Sequence, residues 1–432
     1  MNKKRRFALL IAGLMALSAC RGNVPALPSS SGEEPAQASI QESPQGPRED
    51  PSSIREITPE EMAAKPLSQG EYVEDAEGKK IYQGQGTFFD TFDTVVTLTY
   101  FAPDEETFQK YLTYTHNEFL RLHKLYDNYH EYEGLTSVMT VNRLAGKGPV
   151  EVDPDLFDVL AFSLDHFEAS LGKVNIALGP VLSLWHEARE AAGVHEGTGS
   201  ASGGQDQSET TEGHGSASDK EARLPDPAAL EEAHRHTDPA KLRLDKKART
   251  VTFEDPKMAL DLGAVAKGYA TEKVAKGLEA MGLKNGLLSA GGNVRLFGNH
   301  PQGRPWKVGV EDPKTNDRDQ ALAAMKMEAG SSMVTSGDYQ RFFIVDGKRY
   351  NHIIDPKTLY PGTLYPSVSV VTGDSGLADF LSTTFFLCNR EEAAQVLENY
   401  KREGFDLGVI WVDFDNRVTS TDNLSGALEV RN

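Results

Sequence analysis

Residues 261–293, DLGAVAKGYATEKVAKGLEAMGLKNGLLSAGGN, hold the strand, the helix and the returning strand from which the fold can be read. Asp261 stands on the strand side, small residues follow, and Ala266, Ala270, Val274 and Leu278 then recur at helical spacing until Gly282 stops them. That pattern predicts a helix over 264–281 and a strand over Gly286–Ser289. The same mixture continues on both sides. Asp153 as N-cap, Pro154 at the first helical position, the apolar face Leu156, Leu160, Leu164, Phe167 and Leu171, and Gly172 as terminator predict a helix over 153–172. Phe108, Leu112, Phe119 and Leu122 predict another over 104–124, and a further one covers 376–387. β-branched and aromatic runs predict strands at Thr87–Phe101, 306–310, 342–345, 367–371 and 407–412. With no internal repeat, this argues for α+β or α/β layers.

Composition removes whole classes of function. A chain of 432 residues with 39% hydrophobic side chains can bury a sizeable core, but its formal net charge of -19 lacks the cationic footprint that binds DNA or RNA. Nucleic acid is excluded as a partner. The two cysteines are Cys20 and Cys388, too few for a disulfide framework or a cysteine-based zinc site.

The first 20 residues form an export signal. Lys3 to Arg6 are basic, Phe7–Ala16 is an apolar run too short to span a bilayer, and Leu17-Ser18-Ala19-Cys20 resembles the lipobox of bacterial lipoproteins. Lipidation of Cys20 and an extracytoplasmic, membrane-anchored protein are therefore expected. From Arg21 to about Gly70 the chain turns to Pro, Ser, Gln and Glu. A disordered tether is expected over 21–80, with the folded body at 81–432. A second polar stretch at about 191–220 reads as an acidic, low-complexity surface insertion. Its Gly197 and Gly199 lack the strand and helix of a dinucleotide fingerprint, and its His195 and His214 read as solvated.

No Walker A loop, GxSxG elbow or HExxH pair is present, since His186-Glu187 is followed by Ala188, Arg189 and Glu190. What remains is a set of small, polar knots where strands and helices meet. Lys267 in the opening turns of a helix suits a phosphate site, or is a surface lysine at an ordinary strand–helix junction. Asp379 and Thr383, four apart on a predicted helix, are hard oxygen donors suited to Mg²⁺, or belong to a solvated face. Gly291-Gly292 gives a ligand close backbone access or makes a turn. His352 is a general base or a capped loop histidine.

Taken in order, the segments FFDTFDTVVTLTY (88–100), VNIALGPVLSLWHEAR (174–189), LDLGAVAKGYA (260–270), LSAGGNVRLFG (288–298), VTSGDYQRFF (334–343), YNHIIDP (350–356) and ADFLSTTFF (378–386) resemble the ApbE family of FAD:protein FMN transferases. The resemblance implies an α+β fold with FAD in a cleft between mixed sheets and packed helices. It implies cleavage of FAD at its pyrophosphate and esterification of the FMN half onto a threonine of an exported FMN-binding-domain acceptor, with release of AMP. It further implies that Asp261, Lys267, Gly291, Gly292, Asn293, His352 and Ile353 hold FAD. By the same likeness, Asp379, Thr383 and the Ala264 carbonyl bind Mg²⁺, and His352 and Asp379 serve catalysis. Phe380, Asn293 and Asn175 depart from residues frequent in relatives. The same site also fits an FAD pyrophosphatase, or an FAD-binding lipoprotein without turnover.

Overall fold

The structure, a computed structural model, describes residues 66–193, 222–315 and 321–431. Its strands are β1 (Leu67–Glu74), β2 (Lys80–Thr91), β3 (Thr94–Ala102), β4 (Val150–Glu151), β5 (Leu242–Asp245), β6 (Thr250–Phe253), β7 (Asn285–Ala290), β8 (Asn293–Phe297), β9 (Trp306–Glu311), β10 (Ala321–Met327), β11 (Ser332–Gly337), β12 (Phe342–Val345), β13 (Lys348–Asn351), β14 (Ser367–Thr372), β15 (Gly408–Val412), β16 (Val418–Ser420) and β17 (Leu428–Val430). The helices are α1 (Glu105–Tyr126), α2 (Val138–Arg143), α3 (Pro154–Asp165), α4 (Gly179–Ala191), α5 (Pro227–His234), α6 (Ala266–Ala280), α7 (Ser375–Leu387) and α8 (Arg390–Arg402).

Nine strands form one sheet in the order β1-β2-β3-β7-β8-β11-β14-β15-β16, each neighbouring pair antiparallel. Alternation along β2 and β3 turns Tyr82, Phe88, Val96, Leu98 and Tyr100 inward. They meet Phe108 and Phe119 of α1, Val274 and Leu278 of α6 and Phe380 and Phe385 of α7 in the main core. A small sheet, β17-β10-β9, shares a second core in which Val310, Ala323 and Met325 meet Leu296, Met333 and Ile410 of the large sheet. A third cluster joins Leu178 and Trp185 of the α4 region to Phe343 and Ile354 around the β12–β13 hairpin. The architecture is α+β, as the sequence led us to expect.

Several boundaries move. Thr87–Phe101 is two strands, because Phe92 and Asp93 take left-handed φ values of 51° and 48° and turn β2 back into β3. The helix expected over 153–172 ends at Asp165; the Gly172 N–H donates to the Phe167 carbonyl at 2.9 Å, closing a turn with Leu171 at φ 58°. Of the two residues that carry the apolar spacing past the helix end, Leu171 packs half-buried against the main core and Phe167 is half-buried. Helix α6 starts at Ala266 rather than 264, since Val265 at φ -144° is not helical. The tether expectation over 21–80 overreaches, as β1 pairs with β2 from Leu67↔Thr87 to Glu74↔Lys80. The signal segment with Cys20, the tether up to residue 65, and His195, Gly197, Gly199 and His214 of the insertion lie outside the described residues. Among the described residues, no helix is long and apolar enough to cross a membrane.

Candidate functional site

The site grows from the contact between two helix starts. Val265 caps α6 without a side-chain hydrogen bond, so the first amides of that helix need other acceptors. Gly268, the third residue of α6, carries one of those amides, since the first internal bond of the helix runs from the Tyr269 N–H to the Val265 carbonyl at 3.0 Å. Its N–H donates to Asp379 Oδ2 of α7 at 2.7 Å, while the Ala264 carbonyl stands ahead of the N-cap, outside the helix's own ladder. Only glycine permits this approach: a Cβ on residue 268 would lie 2.3 Å from Asp379 Cβ and 2.3 Å from the Ser375 carbonyl oxygen.

All 13 residues of α7 are buried, so the solvated-face alternative for Asp379 and Thr383 falls away. Burial pushes the Asp379 carboxyl above the usual carboxylate range, against the pull of Lys267 and the Gly268 amide. Proton counting orders the hydroxyls beside it. Ser382 donates to the Asp379 carbonyl at 2.9 Å, so in its 2.8 Å contact with Ser336 it must accept. Ser336 has then given its own proton and accepts from Thr383 at 3.3 Å. The lone pairs of Thr383 Oγ1 are left for a ligand.

Asp261 is held by the Gly263 N–H at 2.8 Å and by Asn128 Nδ2 at 3.1 Å, and burial raises its pKa. Burial lowers that of Lys267, opposed by the nearby Asp379 and reinforced by Arg341, with Asp261 also within electrostatic reach. His352 falls to about 3 through burial, then through the positive charges of Arg341 and Lys267. Its imidazole is therefore neutral near pH 7. The 3.2 Å contact from Nδ1 to the Arg341 carbonyl requires the proton on Nδ1, because a carbonyl only accepts. Nε2 is left as a free base. Asp261, Lys267, Asp379 and His352, up to 118 positions apart in the sequence, thus share one charge network, with Asp379 buried and the other three half-buried.

The remaining candidates take different places. Gly291 and Gly292, at φ 57° and 92°, make the β7–β8 turn. Gly292 faces open space near Gln340 Nε2, 3.9 Å from where a Cβ would stand. Asn293 is buried, donates to the Ala290 carbonyl at 3.2 Å, and leaves Oδ1 without a partner. Ile353 is turned into the main core, its N–H donating to Asn351 Oδ1 at 2.9 Å. Sequence reasoning missed Asn128, Ser336, Ser382 and Arg341. Only Ser336 and Arg341, both within VTSGDYQRFF, and Ser382, within ADFLSTTFF, lay in segments already singled out.

A divalent cation fits this donor set. Asp379 has one oxygen engaged by Gly268 and one without a hydrogen bond, Thr383 keeps its lone pairs, and the Ala264 carbonyl lies outside the hydrogen-bond ladder of α6. These are hard oxygens of three different kinds. Among the described residues no group of three or more His, Cys, Asp or Glu could hold a metal ion, and three protein oxygens would leave the rest of an octahedral shell to water or a bound ligand.

The model of the ApbE family matches residues 92–406. A protein of Klebsiella pneumoniae named FAD:protein FMN transferase is 30% identical over 68% of this chain and 82% of its own length. One of Treponema pallidum with the same name is 32% identical over 61% of this chain and 68% of its own. In three dimensions the chain resembles the ApbE protein of Thermotoga maritima (TM-score 0.60, 24% identity, covering 84% of this chain and 100% of that one). It also resembles the flavin transferase ApbE of Vibrio cholerae (TM-score 0.59, 19% identity, 84% and 100%). At those identities the structural likeness speaks for the fold.

Proposed function

The chain belongs to the ApbE family, and on that premise we propose that it is an FAD:protein FMN transferase acting on a threonine of an exported acceptor protein. The observation that carries this reading is the convergence of Lys267, Asp379 and a neutral His352 with Nε2 free in one charge network.

The reaction forms a bond from the threonine Oγ to the FMN phosphorus and breaks the bond from that phosphorus to the bridging oxygen, which leaves with AMP. Lys267 sits at the start of α6, where its ammonium and the helix dipole favour phosphate oxygens. Partial burial of Lys267 strengthens that attraction by reducing its screening. His352 Nε2 accepts the threonine proton. An imidazole titrating near 3 is a weak base, but the negative charges of FAD raise its proton affinity as they enter. Asp261, clamped by Gly263 and Asn128, offers an acceptor for substrate N–H or O–H groups. Asp379, Thr383 and the Ala264 carbonyl would hold Mg²⁺, which supplies charge neutralisation on the pyrophosphate when bound. We assign lipidation to Cys20 and an extracytoplasmic, membrane-anchored location on the basis of the N-terminal sequence.

The test incubates the chain lacking residues 1–20 with FAD, Mg²⁺ and an FMN-binding-domain acceptor, and reads intact acceptor mass and released AMP. A mass gain of one FMN with equimolar AMP is expected. AMP and free FMN without a mass gain would make the chain a pyrophosphatase, and bound, intact FAD would make it a carrier.

A further inference from the structure

Helices α6 and α7 clasp each other twice. Gly268 of α6 donates its N–H to Asp379, and Ser375, the first residue of α7, donates its N–H to Glu272 Oε2 at 2.9 Å. On each helix the donor and the carboxylate are four residues apart, on one face, so each helix places a carboxylate at the other's positive end. Asp379 is accounted for by the site. Glu272 is not: it is 4% exposed, and Arg295 of β8 holds the same Oε2 from 3.0 Å. Asp374 already caps α7 through the Leu377 N–H, so the Glu272 contact is not needed to start that helix.

The geometry points to Glu272 as a positioning residue for the metal-binding face of α7, an inference that rests on the reading of Asp379 and Thr383 as cation ligands. Asp379 follows Ser375 by one helical turn, so anchoring the Ser375 N–H fixes where along α6 the Asp379 carboxylate stands. Arg295 ties that anchor to the sheet. With the anchor gone, α7 can slide along α6 and the donors lose their common focus, whereas the charge chemistry of each donor is untouched. Partners behind metal ligands commonly shift metal affinity by about 10- to 100-fold when removed.

The test separates the anchor from the ion pair. Two double variants of the full chain both delete the charges together: Glu272→Met with Arg295→Met, and Glu272→Gln with Arg295→Met. Only the second keeps an acceptor for Ser375. The readout is the Mg²⁺ concentration giving half of the Mg²⁺-dependent binding of FAD, followed by flavin fluorescence without acceptor, with a melting transition to establish folding. The Met pair is expected to raise that concentration at least tenfold, and the Gln–Met pair to stay within about threefold of the parent. Equal values for the two overturn the inference. Should the Met pair not fold, Ser375→Pro removes the N–H together with a buried hydroxyl that has no hydrogen-bond partner, at a first helical position preceded by extended Asp374, where proline is tolerated. A tenfold rise is expected there too, and an unchanged value overturns the inference. If the parent chain binds FAD without regard to Mg²⁺, the reading of Asp379 and Thr383 as cation ligands fails first and takes this inference with it.

Discussion

Replacing Gly268 by alanine sets two well-measured effects against each other. Inside a helix, alanine is favoured over glycine by about 1 kcal/mol, so local propensity alone says that Gly268→Ala stabilises α6. The new Cβ, however, would lie 2.3 Å from Asp379 Cβ and from the Ser375 carbonyl oxygen. Neither is the far end of a flexible side chain, so the helices must separate. Overpacking of this kind costs about 1–3 kcal/mol. Separation also stretches the 2.7 Å hydrogen bond from the Gly268 N–H to a carboxylate, worth about 1.5–3 kcal/mol. Packing wins, with a net loss of about 2–4 kcal/mol. At about 0.7 kcal/mol per kelvin for a body of this size, calorimetry should find the melting temperature lower by about 3–6 °C. FAD turnover should fall with it, since the displaced group is Asp379. A melting temperature at or above that of the parent chain would refute the claim that α6 and α7 touch at this point.

Three other outcomes follow from the same geometry. Asp379→Asn keeps the shape of the side chain but loses its charge beside Lys267, and AMP release should drop at least about a hundredfold; turnover within tenfold of the parent would remove Asp379 from the reaction. His352 titrates near 3 in the fold against 6.5 in an unfolded chain, so between those values the unfolded state takes up the proton first and falling pH destabilises the fold. At pH 5 this amounts to about 2 kcal/mol, and urea unfolding of His352→Gln at pH 7 and pH 5 should show an acid loss smaller by that amount; an identical loss would mean an exposed imidazole. Burial pushes the Cys388 thiol up to about 12, leaving roughly one thiolate in ten thousand at pH 8, so maleimide labelling should wait for unfolding, and rapid labelling of the native chain would contradict the packing around α7.

The parts of the fold that the sequence revealed were those with a one-sided environment. Helix α1 buries one face and shows it, and Asp153-Pro154 announces the start of α3 chemically. Helix α7 is buried all round, so its sequence carries no stripe, and nothing local could tell Asp379 in the interior from an acid on a wet surface. Strand β1 fails for the opposite reason. It is an edge strand exposed on nearly every residue, and LSQGEYVE has no alternation to read. The motif residues Asp261, Lys267, His352 and Asp379 were visible as knots, but their partners were not. Asn128 reaches Asp261 across 133 positions and Ser336 reaches Ser382 across 46, contacts decided by topology rather than spacing.

The electrostatics of the site resist its own charges. Burial raises the pKa of Asp379 and Asp261 and lowers that of Lys267 and His352, so each group is held in the direction of neutrality. Such a site gains most from a ligand bringing both signs at once, which a pyrophosphate and a divalent cation together do. Pyrophosphate alone offers Lys267 a counter-charge yet crowds Asp379; a cation alone satisfies Asp379 yet repels Lys267 and Arg341. The two should therefore bind with positive coupling, and by linkage each must tighten the other by the same factor. Calorimetric titrations of FAD at zero and saturating Mg²⁺, and of Mg²⁺ at zero and saturating FAD, measure that factor twice. A common factor of about ten or more is expected. FAD affinity that ignores Mg²⁺ would show that the carboxylate and the ammonium are compensated by each other rather than waiting for the ligand pair.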